Sequence, residues 1–346
     1  MMRFATVLPL LASLGCPLFA WSQTQPPTRF TTVGHIQRLA PDVDQVLAAD
    51  ASIEIVASGL SHTEGPVWVP DSSMLLFSDA PTRTIYRWSP AKGLSKFLES
   101  TGYSGRMPYG KEPGTNGITL DGRGNLLLCD HGDRRLAVLP LDQQSGKRTL
   151  TDAFEGKRYN SPNDAVVHAS GSIYFTDPPY GLPQQLQSPL REMPVNGVYR
   201  LAPGGKVSRE VADQSLPNGV ALAPDGRTLY VALSDSLRPV ILAYKVRSNG
   251  KLGKSRVFFD MSKVSRSRPK EVPDGLKTDQ AGNVWASGHG GILVLSPTGQ
   301  HLGTIDTGEV VSNCAWAPDG TLYIASGSLL CRVKTKASGF VSTQKK

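Results

Sequence analysis

The stretch NSPNDAVVHASGSIYFTD, residues 160–177, decides the fold because its pattern recurs along the chain. Asn163 precedes a short apolar run, a turn follows at Gly171, and a second apolar run ends in Asp177. Two short apolar runs on either side of a glycine turn predict a β-hairpin.

Six copies of this unit lie along the chain. Each begins at a polar residue just before its first apolar run, and these residues are Glu64, Asn116, Asn163, Asn218, Asp274 and Asn313. The steps between them are 52, 47, 55, 56 and 39 residues. Units of this length with four short strands are typical of propeller blades. We therefore predict an all-β fold, a six-bladed β-propeller with four-stranded blades over residues 51–334.

The last unit supplies only three strands. The segment Ile53–Val56 precedes the first unit and has no hairpin partner of its own. We predict that it is the outer strand of the final blade, which closes the ring and removes an open sheet edge. Residues 23–50 are then an N-terminal extension and residues 335–346 a basic C-terminal tail.

Residues 1–22 have the pattern of a signal peptide. Arg3 is followed by the mostly apolar run Phe4–Phe19, and small residues precede a cleavage site before Gln23. We therefore expect a periplasmic or secreted protein, with a lipoprotein anchored through Cys16 as the alternative. No later segment approaches 18 consecutive apolar residues, so we predict no transmembrane segment.

The net charge of +8 raises the possibility of a nucleic-acid partner. The basic residues are dispersed and lack interleaved aromatics, so we predict none. The local clusters, residues 263–270 and Lys345–Lys346, are solvated segments, or the first attracts an anionic substrate. Cys129, Cys314 and Cys331 are odd in number and fit no zinc spacing, which predicts buried free thiols. The sequence carries no signal for an oligomeric state.

The blade geometry predicts two rings of side chains at one face. First strands line the central channel, so the six polar residues at their starts form an inner ring of two carboxylates and four amides. Second strands end at the same face and predict a wider ring of Asp79, Asp130, His131, Asp177, Asp235, His289 and Ser326. Oxygen donors without thiolate suit Ca²⁺ better than Zn²⁺. Alternatively, each Asn-Gly or Asp-Gly pair only forms a turn.

Five motifs resemble the senescence marker protein/gluconolactonase family of regucalcin-like lactonases. They are HTEGPVW, TNGITLDGRGNLLLCDHGDRR, NSPNDAVVHASGSIYFTDPPYGL, LPNGVALAPDGRTLYV and PDGLKTDQAGNVWASG, within about residues 59–334. The resemblance implies a six-bladed propeller with one catalytic divalent cation, commonly Ca²⁺, with Mg²⁺, Mn²⁺ and Zn²⁺ as alternatives. Its implied metal ligands are Glu64, Asn163, Asn218 and Asp274. Asp274 is also the implied general base.

One departure from the family bears on the substrate. In the animal sugar-lactonase branch an Arg that grips the substrate stands two residues before the third-blade Asn, and here that position is Ser161. We predict hydrolysis of a sugar or related lactone. The alternatives are a phosphotriesterase or arylesterase on the same metal site, or a non-catalytic ligand-binding propeller with a structural metal. The chain lacks a Gly-x-Ser-x-Gly elbow and a dinucleotide glycine fingerprint.

Four further residues are candidates for substrate binding or for support of the site: Asn116, His131, Asp177 and His289. The two histidines either shuttle protons or form structural hydrogen bonds. Asp177 either orients Asn163 or accepts backbone amides of the DPPYG turn. Two insertions at the same face, residues 102–115 and 181–196, are candidates for a pocket wall or lid.

Overall fold

The structure, a computed structural model, describes residues 30–142, 146–269 and 271–341. The predicted signal peptide, with its cleavage site before Gln23 and the alternative anchor Cys16, lies outside these residues. Lys270 of the basic segment and Lys345–Lys346 of the tail also lie outside them. No helix in the described ranges is long and apolar enough to cross a membrane.

Three strands precede the first blade: β1 (Thr32–Val33), β2 (His35–Arg38) and β3 (Ile53–Ala57). The helical segments are short: α1 (Val43–Val46) and the 3₁₀ turns Pro70–Ser72, Gln185–Gln187 and Met261–Lys263. A two-stranded hairpin, β12 (Ala153–Phe154) with β13 (Lys157–Arg158), lies between the second and third blades in the chain.

The remaining strands build the blades in chain order. Blades 1 and 2 are β4 (Thr63–Val69), β5 (Met74–Asp79), β6 (Thr84–Ser89), β7 (Gly93–Glu99), β8 (Thr115–Leu120), β9 (Asn125–Asp130), β10 (Arg135–Pro140) and β11 (Arg148–Thr151). Blades 3 and 4 are β14 (Ala165–Val167), β15 (Ile173–Asp177), β16 (Gly197–Leu201), β17 (Val207–Val211), β18 (Pro217–Leu222), β19 (Thr228–Leu233), β20 (Val240–Val246) and β21 (Leu252–Asp260). Blades 5 and 6 contain β22 (Leu276–Thr278), β23 (Val284–Gly288), β24 (Gly291–Leu295), β25 (His301–Asp306), β26 (Val311–Trp316), β27 (Thr321–Ser326) and β28 (Leu329–Lys334).

These strands form six antiparallel sheets within the described part of the chain, and the predicted six-bladed propeller is confirmed. Each blade is a meander in which consecutive strands pair. The first strands, β4, β8, β14, β18, β22 and β26, each contact the first strands of both neighbouring blades. They therefore surround the central channel.

The ring closes as the sequence predicts. β3 pairs with β28, with Ile53 opposite Val333, so residues before blade 1 complete blade 6. The N-terminal extension also adds a fifth strand to two blades: β1 pairs with β3, and β2 pairs with β25. These strands cover the outer edges of blades 5 and 6, which would otherwise offer unpaired backbone groups.

The hydrophobic core lies between adjacent blades. Trp285 of blade 5 and Trp316 of blade 6 meet edge to face with ring centroids 5.0 Å apart. Phe175 and Tyr199 of blade 3 stack at 5.5 Å in a cluster that also includes residues of blade 2. The three cysteines of the described chain, Cys129, Cys314 and Cys331, are buried and free, as predicted.

Candidate active site

Backbone irregularities accompany four of the six inner-ring residues. Strand register shifts between Glu64 and Val67 in blade 1, and equivalent shifts follow Thr115, Pro217 and Val311. A bulge of this kind re-aims a side chain at the rim of a sheet. Glu64, Asn116, Asn163, Asn218 and Asn313 are buried, and Asp274 is partly exposed.

The glycine after an inner-ring residue allows neighbouring blades to approach closely. A Cβ on Gly117 would lie 2.4 Å from the carbonyl oxygen of Asn163, and one on Gly219 would lie 2.2 Å from that of Asp274. A Cβ on Gly65 would lie 2.5 Å from the carbonyl oxygen of Asn116, and one on Gly275 would lie 2.1 Å from Cγ of the Asn313 side chain. These four glycines therefore do more than form turns, because the ring is too tight for a side chain at their positions.

The amide of Asn163 is held from outside the channel. Its Nδ2 lies 3.3 Å from Nε2 of His131, whose Nδ1 lies 3.1 Å from the carbonyl oxygen of Glu112. Burial lowers the pKa of His131, which favours the neutral imidazole. A neutral ring that donates from Nδ1 to the carbonyl must accept at Nε2. Nδ2 of Asn163 therefore donates its hydrogen bond to His131, and the amide oxygen Oδ1 points away from the imidazole ring.

The amide of Asn218 is held in a comparable way. Its Nδ2 donates to the hydroxyl of Ser234 at 2.9 Å, and that hydroxyl donates to the carbonyl oxygen of Pro273 at 2.5 Å. The Asn218 side chain also lies beside the Asp274 carboxyl and opposes the rise in its pKa. Both amides thus direct their nitrogen atoms to fixed partners, which leaves an oxygen as the atom each can offer to a cation.

Asn313 has the opposite orientation and corrects the expectation that every ring amide offers oxygen. Its Oδ1 accepts from Lys277 Nζ and from the Cys314 backbone N–H, both at 2.9 Å. Its Nδ2 donates to Oε2 of Glu64 at 3.4 Å. Asn313 therefore holds Glu64 in place. The signal that sequence reasoning missed is Lys277, a cationic residue within a channel-lining strand.

Four carboxylates converge on the channel. Burial raises the pKa of Asp274 well above its usual range, and the charges of Glu64, Glu112 and Asp164 raise it further. Burial likewise raises the pKa of Glu64, with an added contribution from Asp164. Such a concentration of negative charge is stabilised by a bound cation.

Sequence reasoning missed two of these carboxylates. Asp164 is buried and accepts hydrogen bonds from Ala165 N and Val220 N, at 2.9 and 3.1 Å. It occupies the position that is glycine in four other blades, and this departure was the available signal. Glu112 belongs to the insertion 102–115, whose sequence has no period that predicts where its side chains lie.

The fit of these residues to a divalent cation rests on carboxylate and amide oxygens. Among the described residues, no group of three or more His, Cys, Asp and Glu side chains is arranged to hold a metal. The candidate set instead combines two carboxylates, Glu64 and Asp274, with the amide oxygens of Asn163 and Asn218. This is a hard-donor set of the kind that Ca²⁺ accepts.

Two aspartates of the second ring support the backbone that carries the inner ring. The Asp177 carboxylate accepts from the backbone N–H groups of Asn160 and Ser161, both at 2.8 Å. Asp79 accepts from Ser61 and His62 at 2.9 and 3.1 Å. Each therefore ties down the residues two and three positions before an inner-ring residue. The hydrogen bonds of Asp177 go to this segment rather than to amides of the DPPYG turn.

The other second-ring residues have different partners. Asp130 accepts from the Thr115 hydroxyl at 2.7 Å, Asp235 accepts from the Ser215 hydroxyl at 2.6 Å, and the Ser326 hydroxyl lies 2.6 Å from that of Thr307. Asn116 has its side chain in the inner ring and its carbonyl oxygen 2.6 Å from the Ser78 hydroxyl.

His289 lies against the basic segment. Its Nδ1 lies 3.0 Å from the carbonyl oxygen of Val264, and its Nε2 accepts a hydrogen bond from Arg266 Nε at 3.3 Å. Arg268 is committed to ion pairs with Glu271 and Asp306, at 2.5 and 2.6 Å. These carboxylates neutralise the charge of Arg268, which weakens the predicted alternative that the basic segment attracts an anionic substrate.

Comparison with known proteins gives consistent results. The model of the SMP-30/Gluconolactonase/LRE-like region matches residues 62–328. A gluconolactonase of Zymomonas mobilis is 39% identical over 323 residues, which cover 89% of this chain and 88% of that protein.

Solved structures agree with this assignment. A gluconolactonase of Xanthomonas campestris superimposes with a TM-score of 0.75 at 29% identity, over 90% of this chain and 99% of that chain. Regucalcin of Agrobacterium tumefaciens, a calcium-binding protein, shares the fold with a TM-score of 0.65 at 18% identity, over 84% and 96% of the two chains. The chain therefore belongs to the SMP-30/gluconolactonase/LRE-like family.

Proposed function

We propose that the chain hydrolyses a sugar lactone of the gluconolactone type, using one divalent cation held by Glu64, Asn163, Asn218 and Asp274. The chain is a lactonase, a hydrolase that acts on a carboxylic ester, in keeping with its 39% identity to a gluconolactonase over most of its length. The observation that carries the cation site is the shared orientation of two amides. Asn163 and Asn218 each bind an outer partner through nitrogen, which leaves the amide oxygen as the atom that each can offer to a cation.

The cation we favour is Ca²⁺, because all four proposed ligands are oxygen donors. Mg²⁺, Mn²⁺ and Zn²⁺ are the alternatives to be tested. When bound, the cation would polarise the lactone carbonyl and stabilise negative charge on its oxygen.

Asp274 is the proposed general base. Its carboxylate accepts a proton from the water whose oxygen bonds to the carbonyl carbon. The ring carbon–oxygen bond then breaks, and the ring oxygen takes that proton from Asp274 and leaves as a hydroxyl. A base works best when its pKa lies near the working pH. Burial and the nearby carboxylates raise the pKa of Asp274 in the metal-free protein, and a bound cation would lower it.

The position of the protein in the cell is a separate proposal. Arg3, the apolar run after it and the small residues before Gln23 support export to the periplasm or the medium. Retention of a precursor by a signal-peptidase inhibitor would support this. Cleavage at Cys16 with lipid attachment would favour the lipoprotein instead.

The activity is tested with purified mature protein that has been stripped of metal by a chelator. Gluconolactone opening is followed with a pH indicator against an enzyme-free blank, after addition of Ca²⁺, Mg²⁺, Mn²⁺ or Zn²⁺ in turn. We expect turnover that returns with Ca²⁺. Turnover of a phosphotriester or aryl ester with none of a lactone would replace the proposal, and binding without any turnover would favour a non-catalytic propeller.

A further inference from the structure

The turn after the second strand of blade 3 is fastened by Ser161. This serine is fully buried; its hydroxyl donates to the carbonyl oxygen of Pro178 at 2.6 Å and accepts from Gly181 N at 2.9 Å. Ser161 stands where the resemblance to the animal sugar lactonases places a substrate-gripping Arg. Its side chain therefore holds the turn 178–181 instead of reaching the substrate.

The same turn is packed tightly against His131 of the second ring and against Ser161. A Cβ on Gly181 would lie 2.4 Å from Cβ of His131 and 2.8 Å from Cβ of Ser161. On its other side, a Cβ on Gly110 would lie 3.0 Å from the carbonyl oxygen of Gly181. Gly181 is therefore held on both sides, and these contacts fix the position of Tyr180, the residue before it in the turn.

The Tyr180 hydroxyl is buried and makes no hydrogen bond within the described residues. Ser234 is the side chain that comes nearest to hydrogen-bonding it, although the geometry makes no bond, and the charges of Asp274, Glu112 and Asp235 act on it. The Ser234 hydroxyl is already engaged with Asn218 and Pro273. A buried hydroxyl without a partner costs about 1–3 kcal/mol, so its persistence beside a reactive group points to a partner that arrives with the ligand.

We infer that the Tyr180 hydroxyl hydrogen-bonds the substrate, at a hydroxyl of a lactone bound over Asp274. The inference rests on the proposed function and deepens it by naming a residue that determines specificity. The donor is neutral, and the charges around it come from Asp274, Glu112 and Asp235. Recognition by a neutral hydroxyl among carboxylates favours an uncharged polyhydroxy lactone over a lactone with a second carboxylate.

Tyr180→Phe tests this in the calcium-loaded enzyme, with Tyr244→Phe as the matched control. Tyr244 also carries a buried hydroxyl without a hydrogen bond, but it lies in the third strand of blade 4. We expect the KM for gluconolactone to rise about tenfold in Tyr180→Phe, the loss of one neutral hydrogen bond, with kcat within about threefold. The Tyr244→Phe enzyme should match the wild type. An unchanged KM in Tyr180→Phe overturns the inference.

Two further measurements separate a substrate contact from a structural role and from failure of the proposed function. Calcium affinity and melting temperature should be the same in Tyr180→Phe and Tyr244→Phe; a selective loss in Tyr180→Phe would make it a positioning residue. Calorimetry with 1,5-anhydroglucitol, a neutral ring that cannot be hydrolysed, should show binding that weakens about tenfold in Tyr180→Phe. A wild type that neither hydrolyses gluconolactone nor binds this probe overturns the proposed function and, with it, this inference.

Discussion

The inner and second rings use similar carboxylates in opposite ways. Asp79 and Asp177 are buried, and both oxygens of each accept backbone N–H groups. Asp274 is partly exposed and lies among other carboxylates, beside the side chain of Asn218. Glu64, a proposed metal ligand, is as fully buried as Asp79 and Asp177, so burial alone does not distinguish a carboxylate of the proposed site from a structural one. The distinction lies in whether the oxygen lone pairs are already taken.

The largest expected effect is at Asp274. Asp274→Asn should lower gluconolactone turnover by about a thousandfold, since a general base contributes about 10²–10⁴. The metal-free variant should melt at the same or a higher temperature than the wild type, because the substitution relieves repulsion from Glu64, Glu112 and Asp164. Kinetics at saturating Ca²⁺ and scanning calorimetry measure the two effects. Activity within tenfold of the wild type would remove Asp274 from the proposed mechanism.

Substitution of a second-ring aspartate should have the reverse effect: the protein becomes less stable, while the catalytic step itself is spared. Asp79→Ala removes two part-buried hydrogen bonds from the backbone N–H groups of Ser61 and His62 to a carboxylate, which should cost about 3 kcal/mol in the free energy of unfolding. Asp235→Ala is the control, because Asp235 is partly exposed and accepts from a hydroxyl. Urea denaturation at saturating Ca²⁺ measures both. Equal losses would mean that the backbone contacts of Asp79 add nothing.

Asp177 should make stability depend on pH. Burial raises its pKa from 3.8 to about 7, so between these values the folded state binds more protons than the unfolded state. The contribution is fully present below about pH 4 and is lost as pH rises to about 7, with a slope of up to about 1.4 kcal/mol per pH unit.

The Asp177→Asn variant isolates this contribution. Its free energy of unfolding should fall less between pH 5 and 7 than that of the wild type, when both are measured by urea denaturation at saturating Ca²⁺. Parallel pH profiles for the two proteins would place the pKa of Asp177 near its ordinary value.

The repeat in the sequence was sufficient to predict the blades, because strand length and turn position are local properties. The outer strand Ile53–Ala57 followed from counting strands, since a blade with three strands needs a fourth. The positions of Glu64 and Asn163 followed from where each first strand starts.

Side-chain partners were harder to predict because they join residues far apart in the chain. Asn163 and Asn313 are the same residue type at equivalent positions, yet one is turned by His131 and the other by Lys277. No local pattern encodes that difference. The positions of Glu112 and Tyr180 depend on how two insertions pack together, which the repeat does not describe. The metal ligands implied by the resemblance remain a prediction.

The smallest expected effect lies where the two rings touch. His131→Phe keeps a ring of similar shape but removes the acceptor that holds Asn163 Nδ2, so the amide is free to rotate its oxygen away from the proposed cation. Loss of such a supporting hydrogen bond typically costs a metal site 10–100-fold in affinity, and we expect about tenfold for Ca²⁺, measured by calorimetry. His289→Phe is the matched control, because the hydrogen bonds of His289 go to Val264 and Arg266. If the two variants bind Ca²⁺ equally well, Asn163 is either not a ligand or does not need His131 to orient it; weaker binding in His131→Phe alone would make the second ring part of the metal site.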